Sequence, residues 1–506
     1  MAEVDLGGGV VVETAERVQV RRITPAAGRP FGLAADQDEL GAALQGAGFT
    51  LAAQMDLRRK PGVTLTATTS APAQVKVEVA KGQGAVVLLE GEGGVFGWGF
   101  PDAQGGLALA ADSGRTLTFT LASRRPSQAL GFGIDSLRRG PIFNWLIDKM
   151  VEPVRAYVLK FAAGAAIKVA VDKIEGDMAL GMVNMAGGLA SWTPGGAPAP
   201  TLSAGRPAKI LLMVHGTFST TAGSYGDLTR SADGNAFLTK ARGAYDAVVG
   251  FDHKTLARTP EENARDMLDG LIAWGLPPGS QIDAVSYSRG GLVYRAFAEQ
   301  LLATERPDIK LGKAVFVACT NGGTNLAEPK NWEALTEVYT NLLLAGARVA
   351  AVAGGVALSP MAVIGVKTLG RFVQAFSEVA ITDRKVPGLA AMRPGSPLVK
   401  ALNTAQGGLD RLASYRAVTS DFKPKFEPSK GISKELAQAL LDRVTNRLFQ
   451  EKNDLVVHTR AMTEFGTRAA RLAAGSTLDK GSGESVHHTI YFGDGQIDRS
   501  LATWLP

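Results

Sequence analysis

The chain has 506 residues, 45% hydrophobic and 20% charged, which is enough apolar material for a large core and too much length for one ordinary domain. Its 54 basic and 48 acidic residues leave a net charge of +6. That surplus is spread along the chain, which argues against nucleic-acid binding and leaves only peripheral contact with an anionic membrane surface open. The single cysteine, Cys319, excludes an intrachain disulfide and a thiolate metal site, and no metal or organic cofactor is expected.

The N-terminus places acidic residues before a short apolar run and basic ones after it, the reverse of a secretory signal, so cytoplasmic residence is expected. Residues 1–138 are rich in Gly, Thr and Val. They alternate at period two in VTLTATTS, AQVKVEVA, AVVLLEGE and RTLTFTLAS, the pattern of half-buried antiparallel strands. A small β-rich domain is predicted, with GEGGVFGWGFPDAQGG among its turns. Its expected roles are packing, targeting or binding a partner that the sequence does not identify.

Over residues 139–192 a helical connector is predicted, because Pro141 suits a first helical turn and Ile142, Leu146, Met150, Val154 and Val158 recur at helical spacing, with Leu159 widening the stripe. Residues 193–207 have the Pro, Gly and Ala content of a linker. From 208 to 506, apolar strand-like runs (KILLMVHG, AYDAVVGFDH, QIDAVSYS, KAVFVACT, SYRAVTSDF) alternate with helical stretches such as PEENARDMLDGLIAWG. That alternation predicts an α/β domain, a mostly parallel sheet with helices on both faces. Residues 349–366 run 18 positions without a charge, but Gly354, Gly355, Ser359 and Pro360 favour two helices packed against protein over a membrane span.

The chemistry is concentrated in a few places. In Asp283-Ala284-Val285-Ser286-Tyr287-Ser288-Arg289-Gly290-Gly291 a strand stops at a serine and enters a helix through glycines, the pattern of a nucleophile elbow. Ser286 stands where the G-x-S-x-G pattern has its first Gly, and Gly290 supplies the second. The earlier strand ending in Val214-His215-Gly216-Thr217 would bring a backbone N–H to the same centre. The N–H groups of Thr217 and Arg289 are the expected oxyanion donors, with His215 and Gly216 supporting the loop.

A serine nucleophile needs a histidine base and a carboxylate to orient it. The chain has five histidines, and the order nucleophile, acid, base leaves His487 and His488 as candidates, with His488 favoured. Asp454, in Asn453-Asp454-Leu455-Val456, is the favoured acid and Asp421, in AVTSDFKP, the alternative.

These residues resemble the α/β-hydrolase superfamily, specifically its bacterial lipase and esterase branch. The likeness covers about residues 208–506. Besides VHGT and SYSRGG, it rests on Asn321-Gly322-Gly323-Thr324-Asn325-Leu326, on Pro394-Gly395-Ser396-Pro397-Leu398 with Leu402-Asn403, and on Asn453-Asp454-Leu455-Val456, which is similar to N-D-G-V-V. The departures are Ser286 and Leu455, each where relatives carry Gly. The resemblance implies an α/β-hydrolase fold with a helical cap inserted at about 330–390, and serine-dependent hydrolysis of an apolar or lipid ester through Ser288, Asp454 and His488. Acyl transfer through the same triad and a catalytically silent binding or scaffold protein are the alternatives.

Overall fold

Two of the alternating stretches near the N-terminus, AQVKVEVA and RTLTFTLAS, pair with each other as antiparallel strands that bury alternate residues. In the computed structural model the described residues are 2–14, 18–24, 38–60, 73–102, 114–121, 153–162, 175–176, 178–203, 205–352, 360–378, 386–404, 414–423, 434–439, 451–466, 472, 475–483 and 486–506. Strands β1 (Ala2–Gly7), β2 (Val10–Thr14), β5 (Ala73–Val79) and β8 (Arg115–Leu121) form a four-stranded antiparallel sheet in that order. Strands β3 (Val18–Ile23), β4 (Phe49–Arg59), β9 (Val154–Ala162), β6 (Gln83–Glu90) and β7 (Phe96–Gly99) form a five-stranded one. The expected strand VTLTATTS lies outside the described residues, as do Pro141, Ile142, Leu146 and Met150.

Two expectations are corrected here. The segment around Val95 to Phe100 is not only a turn: Phe96–Gly99 is a buried strand that pairs with β6. The helical stripe is not found where it is described, since Val154, Val158 and Leu159 lie in β9, hydrogen-bonded to both β4 and β6. Most of β9 is buried, including adjacent residues Ala156 to Leu159. A run that is apolar on both faces carries no period, and its aromatic and β-branched content decides for strand.

The third sheet has seven strands in the order β10 (Gly181–Asn184), β12 (Ala247–Asp252), β11 (Lys209–Val214), β13 (Gln281–Tyr287), β14 (Lys310–Val317), β15 (Tyr415–Phe422) and β16 (Thr477–Gly483). All neighbours are parallel except β10, which runs antiparallel to β12. Because β10 belongs to this sheet, the α/β unit begins ahead of 208, and residues 193–207 are an internal loop of it rather than a boundary between domains. Helices follow the parallel strands as their crossovers require. The Pro260–Ala273 helix, for instance, starts at a capping box in which Thr259 Oγ1 accepts from Glu262 N and Glu262 returns the bond to Thr259 N.

Between β14 and β15 the chain passes through two long helices, Trp332–Val352 and Pro360–Glu378. No helix among the described residues is long and apolar enough to cross a membrane. Both helices pack against the five-stranded sheet. Asn341 Oδ1 accepts from Phe96 N at 2.9 Å and Asn341 Nδ2 donates to Phe96 O at 2.7 Å, while Trp98 Nε1 donates to Thr340 Oγ1 at 2.9 Å. Phe100 meets Phe376 edge to face at 4.9 Å.

All of these groups but Phe376 are buried, so the amide of Asn341 replaces water that the Phe96 backbone cannot otherwise reach. Asn341→Ala is expected to lower unfolding free energy by about 2–4 kcal/mol, the cost of leaving a buried N–H and C=O without partners. Urea denaturation of the two proteins measures it, and a change below about 0.5 kcal/mol would show that the contact carries no stability.

Candidate active site

Strand β13 ends at Tyr287, and Ser288 follows with φ 53°, a left-handed backbone that a residue with a Cβ adopts only under strain. The turn is fixed by Ser288 N donating to Val317 O at 3.0 Å and by Gly291 N and Thr320 N donating to Ser288 O at 3.1 and 3.2 Å. Gly290 is required at the helix start: a Cβ there would lie 2.2 Å from Val214 O and 2.7 Å from His215 O. Ser286 is buried with its Cβ accommodated in the strand, so the missing first glycine of the elbow leaves the turn intact.

The loops at the C-terminal ends of the parallel strands bring Asp454 and His488 to this serine. His488 Nε2 lies 2.9 Å from Ser288 Oγ, and His488 Nδ1 lies 2.7 Å from Asp454 Oδ2. The exposures are 2% for Ser288, 1% for His488 and 0% for Asp454. Asp454 also accepts from Tyr491 Oη at 3.0 Å and from the N–H groups of Val456 and Val457 at 3.1 and 2.8 Å. A carboxylate fixed by these donors holds the imidazole at Nδ1 and orients its Nε2 toward the serine. The Tyr287 ring lies against the His488 ring at 5.4 Å, and its hydroxyl donates to His488 O.

The alternatives fall elsewhere. The His487 ring packs edge-on against Phe422 at 5.2 Å, and its Nδ1 lies 3.2 Å from Thr489 Oγ1. Asp421 pairs with Lys423 at 2.9 Å and accepts from Ser482 Oγ at 2.7 Å and Asn453 N at 3.2 Å.

Gly216 abuts Ser288, since a Cβ there would come within 2.7 Å of Ser288 Cβ. The next residue is Thr217, and Phe218 after it has φ 57°, so the 216–218 loop turns sharply around the serine. His215 anchors the loop: Nδ1 pairs with Gly216 O at 2.9 Å, Nε2 accepts from His253 N at 3.1 Å, and the two imidazoles stack at 4.0 Å. The Tyr339 hydroxyl, from the Trp332–Val352 helix, interacts with the Ser288 side chain, and its ring stands edge-on to His488 at 6.2 Å.

The segments quoted for the lipase resemblance interlock beside the triad. Asn403 Nδ2 donates to Asn321 O at 2.9 Å, Thr324 N to Met392 O at 2.8 Å, and Thr324 Oγ1 to Val456 O. Leu455, where relatives carry Gly, has φ 79°. The backbone therefore keeps the glycine-like turn, and the Asn453 side chain, accepting from Leu455 N at 2.9 Å, supports it. The sequence reasoning passed over Tyr339, Tyr491 and Glu175. Only Tyr491 had a local signal, the polar–aromatic turn that follows His488.

The strand order and the elbow define an α/β-hydrolase fold. Residues 182–506 match the family model described as "Domain of unknown function (DUF7379)", and the chain belongs to that family. No curated protein matches. Among solved structures, phospholipase PlaB from Legionella pneumophila is 15% identical over 50% of this chain and 45% of its own, with a TM-score of 0.29. Lipase 1 from Pelosinus fermentans is 12% identical over 59% of this chain and 99% of its own, TM-score 0.36. The propeptide form of Bacillus licheniformis lipase BlEst2 is 14% identical over 61% of this chain and 52% of its own, TM-score 0.32. The chain thus spans less than half the length of the Legionella phospholipase.

Burial pushes the His215 imidazole down to about 3 and that of His253 well below its usual 6.5. The unfolded chain therefore binds protons at these sites below pH 6.5 that the folded chain refuses, at His215 down to about 3, so their stabilising effect is present above 6.5 and lost as pH falls. A His253→Phe variant keeps a stacked ring without a titrating group. It should gain stability relative to wild type as pH falls below 6.5, by up to about 1.4 kcal/mol per pH unit. Urea titrations at about pH 7.5, 5.5 and 4.5 measure this, and parallel curves for the two proteins would refute it.

Proposed function

We propose that the α/β unit is a serine-dependent carboxylic ester hydrolase. The observation that carries the reading is the continuous chain Ser288 Oγ, His488 Nε2, His488 Nδ1 and Asp454 Oδ2, at 2.9 and 2.7 Å, in a site shielded from water. Ser288 Oγ attacks the ester carbonyl carbon as His488 Nε2 takes its proton, and Asp454 stabilises the imidazolium. The carbonyl oxygen becomes an oxyanion, held by the backbone N–H groups of Thr217 and Arg289. His488 then gives the proton to the departing alkoxide, leaving an acyl-serine, and a water attacks that ester by the same steps in reverse.

The wall beside the nucleophile supports an apolar acyl group. Phe218 packs edge-on to Tyr339 at 5.1 Å and lies 5.7 Å from Phe372, and Val338, Leu342 and Leu343 are buried on the same helix as Tyr339. Such a surface gains roughly 25 cal/mol per Å² of acyl chain buried and offers a charged substrate nothing in return. The two inserted helices act as a cap, and because Ser288 is only 2% exposed, they have to give way for substrate to enter.

A fluorophosphonate probe should label wild type and not Ser288→Ala. His488→Ala should lower kcat/KM for p-nitrophenyl butyrate by at least about 10³-fold, Asp454→Asn by about 10²- to 10⁴-fold, and His487→Ala by less than about tenfold. Equal losses in the two histidine variants, or labelling that survives Ser288→Ala, would sink this reading.

A further inference from the structure

Glu175 is a fully buried acid on the approach to β10, ahead of the residues that match the family, and it has no place in the triad. Its Oε1 accepts from Thr255 Oγ1 at 2.7 Å, Thr255 N at 2.5 Å and Leu256 N at 3.0 Å. Its Oε2 accepts from Leu256 N at 3.1 Å and Ala257 N at 3.0 Å. Three successive amides and a hydroxyl converge on one carboxylate. Burying a carboxyl group away from water is expensive unless its oxygens are hydrogen-bonded, and this set of donors meets that requirement.

The loop that Glu175 holds touches both sides of the reaction centre. Thr255 has one hydroxyl proton and gives it to Glu175, so its lone pairs are left for Phe218 N, which donates to Thr255 Oγ1 at 3.4 Å. Phe218 sits at φ 57° immediately after Thr217, and this contact holds the strained turn that presents the Thr217 N–H. On the other side, the buried Arg289 guanidinium donates through Nη2 to Arg258 O at 2.6 Å and through Nε to Gly388 O at 3.5 Å, while Gly388 N donates to Leu256 O at 2.9 Å. The contact is close enough that a Cβ on Gly388 would fall 2.3 Å from Thr255 O. Burial pushes the Arg289 guanidinium down to about 10, and Glu175, Glu261 and Glu262 act against that shift.

We infer that Glu175 is the positioning residue of the oxyanion hole, fixing through the 255–258 loop both backbone segments whose N–H groups receive the oxyanion. The inference rests on the ester-hydrolase reading. Glu175 touches no substrate; it acts through Thr255 on Phe218 and through Arg258 on Arg289. Its loss should therefore weaken binding of the tetrahedral species and leave binding of the planar ester nearly untouched.

The test uses the full chain with Thr255→Val, which removes the hydroxyl at nearly constant shape, Thr255→Ser, which keeps it, and Glu175→Gln. Measured are kcat and KM for p-nitrophenyl butyrate and the inhibition constant of butylboronic acid, which forms a tetrahedral adduct on a reactive serine. Thr255→Val and Glu175→Gln should each lower kcat about 10- to 100-fold and raise the boronate inhibition constant by a similar factor, with KM within about twofold. Thr255→Ser should stay within about threefold of wild type on all three.

Should Glu175→Gln not fold, the Val and Ser pair decides alone. Thr255→Val and Glu175→Gln proteins with wild-type circular dichroism that keep kcat and boronate affinity within about twofold, or that raise KM at constant kcat, would overturn the assignment while leaving the hydrolase reading standing. A folded wild type inert to both ester and fluorophosphonate would remove that reading, and this inference with it.

Discussion

The site depends on one backbone constraint, the left-handed conformation of Ser288 at the abrupt end of β13. A serine at φ 53° is strained by something on the order of 1–3 kcal/mol and keeps that shape only if its surroundings over-determine it. They do so from three sides. Val317 O takes the Ser288 N–H, Gly291 N and Thr320 N bond the Ser288 carbonyl, and the Val214 and His215 carbonyls press so close to Gly290 that no side chain fits there. Strand order supplies those neighbours, because β13 lies between β11 and β14. The seven-stranded sheet is therefore the device that aims one hydroxyl at one imidazole.

Placing that hydroxyl in a dry site raises a second problem, since each polar group brought with it must be satisfied by protein. Asp454 meets this with four donors and Glu175 with the amides of residues 255–257. His215 meets it by staying neutral, its two nitrogens occupied by a carbonyl and an N–H. The same exclusion of water strengthens each charge–dipole contact that remains. At Asp454, Glu175 and His215, burial and polar satisfaction are thus one requirement seen from two directions.

What could be read in the sequence follows from how local each signal is. The strands β11 to β15 and the elbow were legible because a buried parallel strand is a continuous apolar run and a sharp strand-to-helix turn needs small residues within a few positions. Ser288, Asp454 and His488 could be singled out by motif and chain order, and the structure brings those three together. β16 was passed over because TLDKGSG is polar and half-exposed at the sheet edge, where no apolar stripe is needed. β9 reads as helix in the sequence because a strand covered on both faces carries no period, and the sheet's first strand, four-residue β10, is hard to see in its loop-like context. Glu175 left no local trace. Its partners lie some 80 positions away, and only the folded chain shows what its carboxylate binds.

The same distinction bears on how the first sheets relate to the nucleophile. Residues 339 to 342 make up little more than one helical turn, so their side chains and carbonyls point in different directions around a narrow cylinder. Tyr339 meets Ser288 and His488, Thr340 receives the Trp98 indole N–H, Asn341 binds both backbone groups of Phe96, and Leu342 O accepts from Thr489 Oγ1 beside the catalytic histidine candidate at 3.4 Å. A helix is too stiff for one of these residues to be displaced without the others. Any movement that uncovers Ser288 through this turn must therefore also break buried hydrogen bonds to β7, each costing about 1–3 kcal/mol if its partner group stays buried. The five-stranded sheet and the site are in this way coupled through four consecutive residues, and the coupling is mechanical before it is chemical.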